Sequence, residues 1–186
     1  MTIDRSSQLV PAVEAGDLDL ALTLGMGPRE NAVVVGHLPL VWIAHRDFAW
    51  DRSRPLPLAV FPTPCRFRAK AIAELDRVGV PWEVALTSTS LYGIWAAVRA
   101  KLGVTLRTAQ GLLPELAVVD RAFALPALGT VDVSLTLGSR RSLALESLVQ
   151  VLRGALQARI AELGGGVQRQ RRARQATTIR PSPLPL

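Results

Sequence analysis

Two short stretches carry residue types that hold a small polar or anionic molecule. Thr87-Ser88-Thr89-Ser90 brings four hydroxyls to the start of an apolar helical pattern, beside the amides that a first helical turn leaves unbonded. Ordinary capping accounts for such a cluster as well as ligand binding does. The second stretch is Pro64-Cys65-Arg66-Phe67-Arg68, at the start of another helix and past the carboxyl end of a strand, the edge where open α/β sheets hold ligands. Its plain alternative is two solvated arginines and a small buried cysteine. Arg66 and a helix start would lower the Cys65 thiol pKa, yet neither His37 nor His45 is spaced to act as its base. Asp17 and Asp19 follow Gly16, flank a turn and serve the turn itself, and His45 sits in a charged turn with Arg46 and Asp47.

Other chemistry is thin. The sequence has no GxSxG elbow, HExxH, Walker loop or GxGxxG. One cysteine cannot form an internal disulfide, and with two histidines it builds no zinc cage at a familiar spacing. No metal, no cofactor and no catalytic residue are expected.

The elements that carry these residues follow from periodicity. Residues 7–15 have a Ser cap, apolar Leu9, Val10 and Val13, and Gly16 as a stop, the signs of an amphipathic helix. Residues 18–24 alternate as a strand, and residues 31–36 and 38–45 are two further β segments. RDFAWDRSRPLP then marks a crossover. A buried strand is expected at 58–61 and a helix at about 66–78, with Phe67, Ala71, Leu75 and Val78 on one face and Gly79 as its stop. A strand at 81–87 precedes a helix whose Leu91, Ile94, Trp95, Val98 and Leu102 face inward, and Gly103 leads into a strand at 104–107. Strand and helix in such alternation predict a parallel sheet with helices over it. A turn or short helix is expected near 110–113 and strands at 116–119 and 131–137. The longest helix, 142–163, is expected to stop at Gly164, Gly165 and Gly166 and give way to a disordered basic tail, 164–186.

The 186 residues suffice for one ordinary domain or two small lobes, and 49% hydrophobic against 20% charged residues excludes wholesale disorder. The apolar stretch 32–44 is interrupted by Gly36, His37 and Pro39 and falls short of the roughly 18 residues of a membrane span. MTIDRSSQLVPAVEAG lacks the layout of a secretory signal, so a cytoplasmic location is expected, with no membrane contact. The net charge of +7 resembles a nucleic-acid footprint until it is located. Arg169, Arg171, Arg172, Arg174 and Arg180 lie in the tail, and without them 17 basic residues face 15 acidic ones.

The order of motifs resembles the effector-binding domain of LysR-type transcriptional regulators over residues 9–163. The resemblance rests on AVEAGDLDLALT, with its GxxDxA pattern, and on the block beginning PLVWIAHRD and ending AKLGVTL. That block carries in sequence a crossover strand, FPxxCxFR, Ser-x-Ser before a helix, and VxxxLGVTL. It implies an α/β, periplasmic-binding-protein-like fold of two parallel-sheet lobes around a cleft that holds a small-molecule effector, of which a carboxylate is one candidate. Carried onto this chain, the cleft would take Thr23 and Gly25 from one lobe, and Pro64, Cys65, Phe67, Arg68, Ser88, Thr89 and Ser90 from the other. Lobe one would comprise residues 1–55 and 128–163, and lobe two residues 56–127. Family members contact DNA through an N-terminal helix-turn-helix domain that has no counterpart here. The strand, helix and strand that precede the first helix in the family pattern also have none, so the expectation is a truncated or mis-started chain with an incomplete first lobe. The family pairs these domains, which implies a homo-oligomer.

Three rival readings remain at this point. A solute-binding component of a transporter shares the fold type and the cleft, but the sequence shows no export signal. An enzyme would use Cys65 or the TSTS hydroxyls. A nucleic-acid binder would use the arginine tail through salt-sensitive phosphate contacts.

Overall fold

The computed structural model describes residues 1–140 and 142–176, and of residues 163–176 the backbone alone. It contains α1 (Ser6–Glu14), β1 (Leu20–Leu24), β2 (Ala32–His45), β3 (Leu56–Val60), α2 (Arg66–Arg77) and β4 (Trp82–Thr87). These are followed by α3 (Leu91–Arg99), β5 (Thr105–Thr108), β6 (Leu116–Val118), β7 (Thr130–Leu137) and α4 (Leu143–Ala176). The chain forms two compact units, Met1–Leu38 with Asp132–Leu186, and Pro39–Val131. The sequence reading put the crossing near 55–57, at the prolines and charges; the unit boundary instead lies inside β2.

In the first unit, Val10 and Val13 of α1 are buried, and the Ser6 hydroxyl accepts the Leu24 amide at 2.9 Å, which fixes α1 to the end of β1. β1 and β7 pair antiparallel from Leu20↔Leu137 to Leu24↔Val133. The βαβ grammar suggested parallel strands here, but β1's partner is a strand returning from late in the chain, and a late return runs in either direction. On α4, Leu145, Val149, Leu152, Leu156 and Ile160 are half-buried at helical spacing, while Leu148 and Val151 stay exposed. The glycines expected to stop this helix lie within it. Each costs about 1 kcal/mol against alanine, but glutamine, arginine and alanine beyond them favour helix and carry it on to Ala176. Residues 177–186 of the expected tail lie outside the described residues.

β2 is one 14-residue strand where two segments were expected. Gly36 and Pro39 look like breakers in sequence, but neither stops it: ladder contacts resume at Leu40, which pairs with Thr108 and donates its amide to the Gly129 carbonyl at 3.0 Å. In the second unit, β2 pairs antiparallel with β5 and with β6. β3 pairs parallel with β4, and on its other side Leu58 bridges Val104, also parallel. The core of this unit joins Val41 and Ile43 of β2 to Ala59 of β3, Phe61, Ile94 and Val98 of α3, and Leu116. Trp42 is fully buried, with its indole donating to the Pro126 carbonyl at 3.0 Å and its amide to Asp120 Oδ1 at 2.7 Å. Both polar groups are therefore satisfied, as burial of tryptophan requires.

Gly79, with φ +70°, ends α2 as its sequence position suggested. Gly103 serves packing instead: a Cβ there would stand 2.4 Å from the Pro57 carbonyl oxygen, where the backbones of β3 and the segment before β5 meet. Among the described residues no helix is long and apolar enough to cross a membrane, and no three His, Cys, Asp or Glu side chains gather to hold a metal.

Candidate functional site

Because β3 and β4 run parallel, the two connections that leave their carboxyl ends emerge along one edge of the second unit. From β3 the chain passes through Phe61-Pro62-Thr63-Pro64-Cys65 into α2, with the Thr63–Pro64 peptide cis. From β4 it passes through Ser88-Thr89-Ser90 into α3. The Ser88 amide donates to the Val60 carbonyl at 3.1 Å, which ties the start of the serine turn to the last residue of β3. Both stretches singled out in the sequence thus follow the carboxyl ends of neighbouring strands.

The serine turn is organised by its own hydroxyls. Ser90 Oγ accepts the Tyr92 amide at 3.2 Å and caps α3, while Ser88 Oγ accepts the Ser90 amide and donates to the Ser90 carbonyl, both at 3.1 Å. Ser88 therefore spends its proton inside the turn, and Ser90 does not. Gly93 makes this arrangement possible, since a Cβ there would lie 2.2 Å from Ser88 Oγ. Thr89 is exposed between the two serines.

The proline turn differs. Cys65 occupies the cap position of α2 in extended conformation, and its side chain makes no capping bond. Cys65, Phe67 and Arg68 line a recess of about 10 Å³ together with Phe61, Thr105 and Arg107, while Pro64 is exposed beside it. Arg68 reaches the Phe61 carbonyl at 3.4 Å. The Arg107 guanidinium lies 4.4 Å from the centre of the Phe61 ring and 5.2 Å from that of Phe67. Burial pulls its pKa down to about 10, with Cys65 acting the other way, so it stays charged at neutral pH. Phe61 and Arg107 escaped the sequence reading. The one available signal was a cation in the otherwise apolar strand pattern Val-Thr-Leu-Arg.

Thr23 and Gly25 belong to the other compact unit. Thr23 is buried, and its hydroxyl lies 3.2 Å from Thr136 Oγ1 and donates weakly to the Ser134 carbonyl at 3.4 Å. Gly25 ends β1 with φ +66°.

A wider hollow of about 290 Å³ lies on the second unit among Phe48, Trp50, Asp51, Arg54, Glu83 and Leu102. It exceeds the recess in volume, and part of its polarity is engaged within the chain. The Trp50 indole donates to the Arg54 carbonyl at 3.0 Å. The amide and hydroxyl of Ser53 hold the Asp51 carboxyl below its usual range, with Arg54 assisting. Among the described residues two buried side-chain nitrogens have no hydrogen-bond partner, Arg29 Nε in the first unit and Arg107 Nε beside the recess.

Similarity to known proteins agrees with this architecture. The regulatory domain of HypT from Salmonella typhimurium superposes with a TM-score of 0.67 at 15% identity, covering 85% of this chain and 81% of that one. The CcmR regulatory domain from Synechocystis, in complex with 2-PG, gives 0.61 at 18% identity, covering 81% and 79%. Both show the fold, α/β and periplasmic-binding-protein-like. In sequence, the chain is 30% identical over 128 residues to the HTH-type transcriptional regulator PecT of Dickeya dadantii, covering 69% of this chain and 40% of that protein. It is 28% identical over 134 residues to the HTH-type transcriptional regulator DgdR of Burkholderia cepacia, covering 72% and 46%. The chain therefore spans less than half the length of these curated relatives. The pattern of the LysR substrate binding domain matches residues 1–161, and the chain belongs to that family.

Proposed function

We propose that this chain is the small-molecule sensing module of a LysR-type transcriptional regulator and has no catalytic activity of its own. The observation that carries the reading is that the Pro64–Arg68 and Ser88–Ser90 turns follow the carboxyl ends of the adjacent parallel strands β3 and β4, with an unspent Ser90 hydroxyl proton in the one and the Arg68 and Arg107 side chains lining a recess at the other. In a member of this family, such an edge is where an effector would be gripped. Support comes from the relatives named transcriptional regulators and from the CcmR regulatory domain, which was solved in complex with 2-PG.

In this reading the effector accepts a hydrogen bond from Ser90, packs on Phe67 beside Cys65 and Pro64, and meets Arg68 with a negative or polar group. Thr89, exposed between the two serines, completes the contacts proposed on this unit from the resemblance. Binding acts by population shift: the effector favours one arrangement of the regulator by its differential affinity. DNA contact would belong to a helix-turn-helix domain outside this chain, in a cytoplasmic homo-oligomer.

The test is thermal unfolding of the chain against a panel of small carboxylates. At least one should raise the melting temperature to a plateau, and Ser90→Ala should shift half-saturation to higher concentration. A panel with no stabilising member, or a Ser90→Ala chain that responds like the unaltered one, would defeat the reading.

A further inference from the structure

Two opposite charges on the second unit line one hollow without meeting each other. The hollow, of about 290 Å³, is lined by Phe48, Trp50, Asp51 and Arg54 of the segment before β3, and by Pro57 and Glu83, which stand opposite each other near the amino ends of β3 and β4. The segment is held in shape from within: the Arg54 amide donates to the Asp51 carbonyl and the Trp50 indole to the Arg54 carbonyl, both at 3.0 Å. Phe123 meets the Trp50 ring edge-on with centroids 6.0 Å apart, and the Arg52 guanidinium stands 5.6 Å from its centre. Two charges are left unspent. The Glu83 carboxylate is exposed and takes part in no hydrogen bond or ion pair among the described residues. The Arg54 guanidinium, also exposed, makes none either and acts on Asp51 only through space. Asp51 is ionised at neutral pH, held below its usual range first by the Ser53 amide and then by the Ser53 hydroxyl. A simple anion would meet two carboxylates here, and a simple cation would meet the arginine. A molecule with an ammonium and a carboxylate of its own sets each against the opposite sign, and its apolar part covers the Trp50 and Phe48 rings, whose faces also attract an ammonium. The room is close to the roughly 300 Å³ at which small-molecule sites begin.

We propose that this hollow binds a small zwitterion, an α-amino acid with an apolar side chain. Arg54 takes the carboxylate, Glu83 takes the ammonium with the charge of Asp51 in support, and Trp50 and Phe48 take the side chain. The site lies wholly within the second unit, at the opposite ends of β3 and β4 from the serine and proline turns. It holds a second ligand rather than the effector, so it stands or falls apart from the sensing reading.

The experiment is a nuclear magnetic resonance titration of the nitrogen-15-labelled full chain, read at the Trp50 indole N–H, whose signal is identified by its absence from Trp50→Phe. The probes are L-phenylalanine, 3-phenylpropanoate, which lacks the ammonium, and phenethylamine, which lacks the carboxylate. Phenylalanine should move the Trp50 signal to a plateau, and each of the other two should need about threefold more or higher to reach half-saturation, the scale of one exposed ion pair. Glu83→Gln should erase the preference for phenylalanine over 3-phenylpropanoate, and Arg54→Gln the preference over phenethylamine. Both side chains are exposed, so a merely structural role would move neither ratio. A Trp50 signal that stays still or drifts without saturating up to the solubility limit overturns the site, as does an equal response to all three probes or a preference that survives both variants. A phenylalanine response lost in Ser90→Ala but kept in Arg54→Gln would locate the binding at the serine turn and overturn it too. Saturation with the expected ratios supports the site even where no carboxylate stabilises the chain through Ser90.

Discussion

Arg107 bears a cost that solution conditions should expose. Its folded pKa of about 10 lies below the ordinary value of the unfolded chain, so between the two the unfolded chain retains a proton that the folded chain has released. Stability contributed by this group therefore rises with pH across that window, and below about pH 10 the penalty is constant. Arg107→Met keeps the packing and removes the charge, so at pH 7 it should leave unfolding in urea unchanged or raise stability by about 1–4 kcal/mol. It should also abolish the alkaline gain. A loss of more than about 1 kcal/mol would mean that the guanidinium has a partner after all. The sequence pointed to Cys65, Phe67 and Arg68, since a helix start after a strand is recognisable locally. It could not point to Arg107, because what surrounds a side chain in β5 is decided by chain segments some 40 residues away, at Phe61 and Phe67.

Helices and strands were legible where a local rule decides them. Gly16 and Gly79 both adopt positive φ after α1 and α2, as stops should. Legibility failed where a breaker is tolerated by its surroundings: Pro39 inside β2, and the glycines inside α4. Gly103 is a third case, since its position after α3 reads as a stop but its role is to let two backbones approach. Ala59 donates to the Val104 carbonyl at 2.9 Å and Val104 to the Pro57 carbonyl at 2.8 Å, so the contact that a methyl would spoil is part of a ladder. Gly103→Ala should cost about 1–3 kcal/mol, read as a lower urea midpoint at unchanged slope. A midpoint equal to that of the unaltered chain would show that the ladder yields to the methyl.

The two compact units differ in how well their strands are held. β3 is flanked by β4 on one side and by Val104 on the other, and four of its five residues are buried. β1 stands at the end of its strand order, pairs with β7, and leaves Leu22 47% exposed. Native-state hydrogen exchange should therefore release the amides of β1 before those of β3. Equal protection would mean that the first unit draws on more than its own pairing. A two-lobed α/β organisation was readable from the order of motifs, but where one unit gives way to the other was not. The charged, proline-rich stretch 46–57 looked like the natural seam, and the division falls instead within an unbroken strand, for which no composition change gives notice.

One amide–carbonyl bond, from Ser88 to Val60, yokes the serine turn to the end of β3. A carbon-13 label at the Val60 carbonyl would then act as a listening post, its resonance moving when a molecule settles on Ser90.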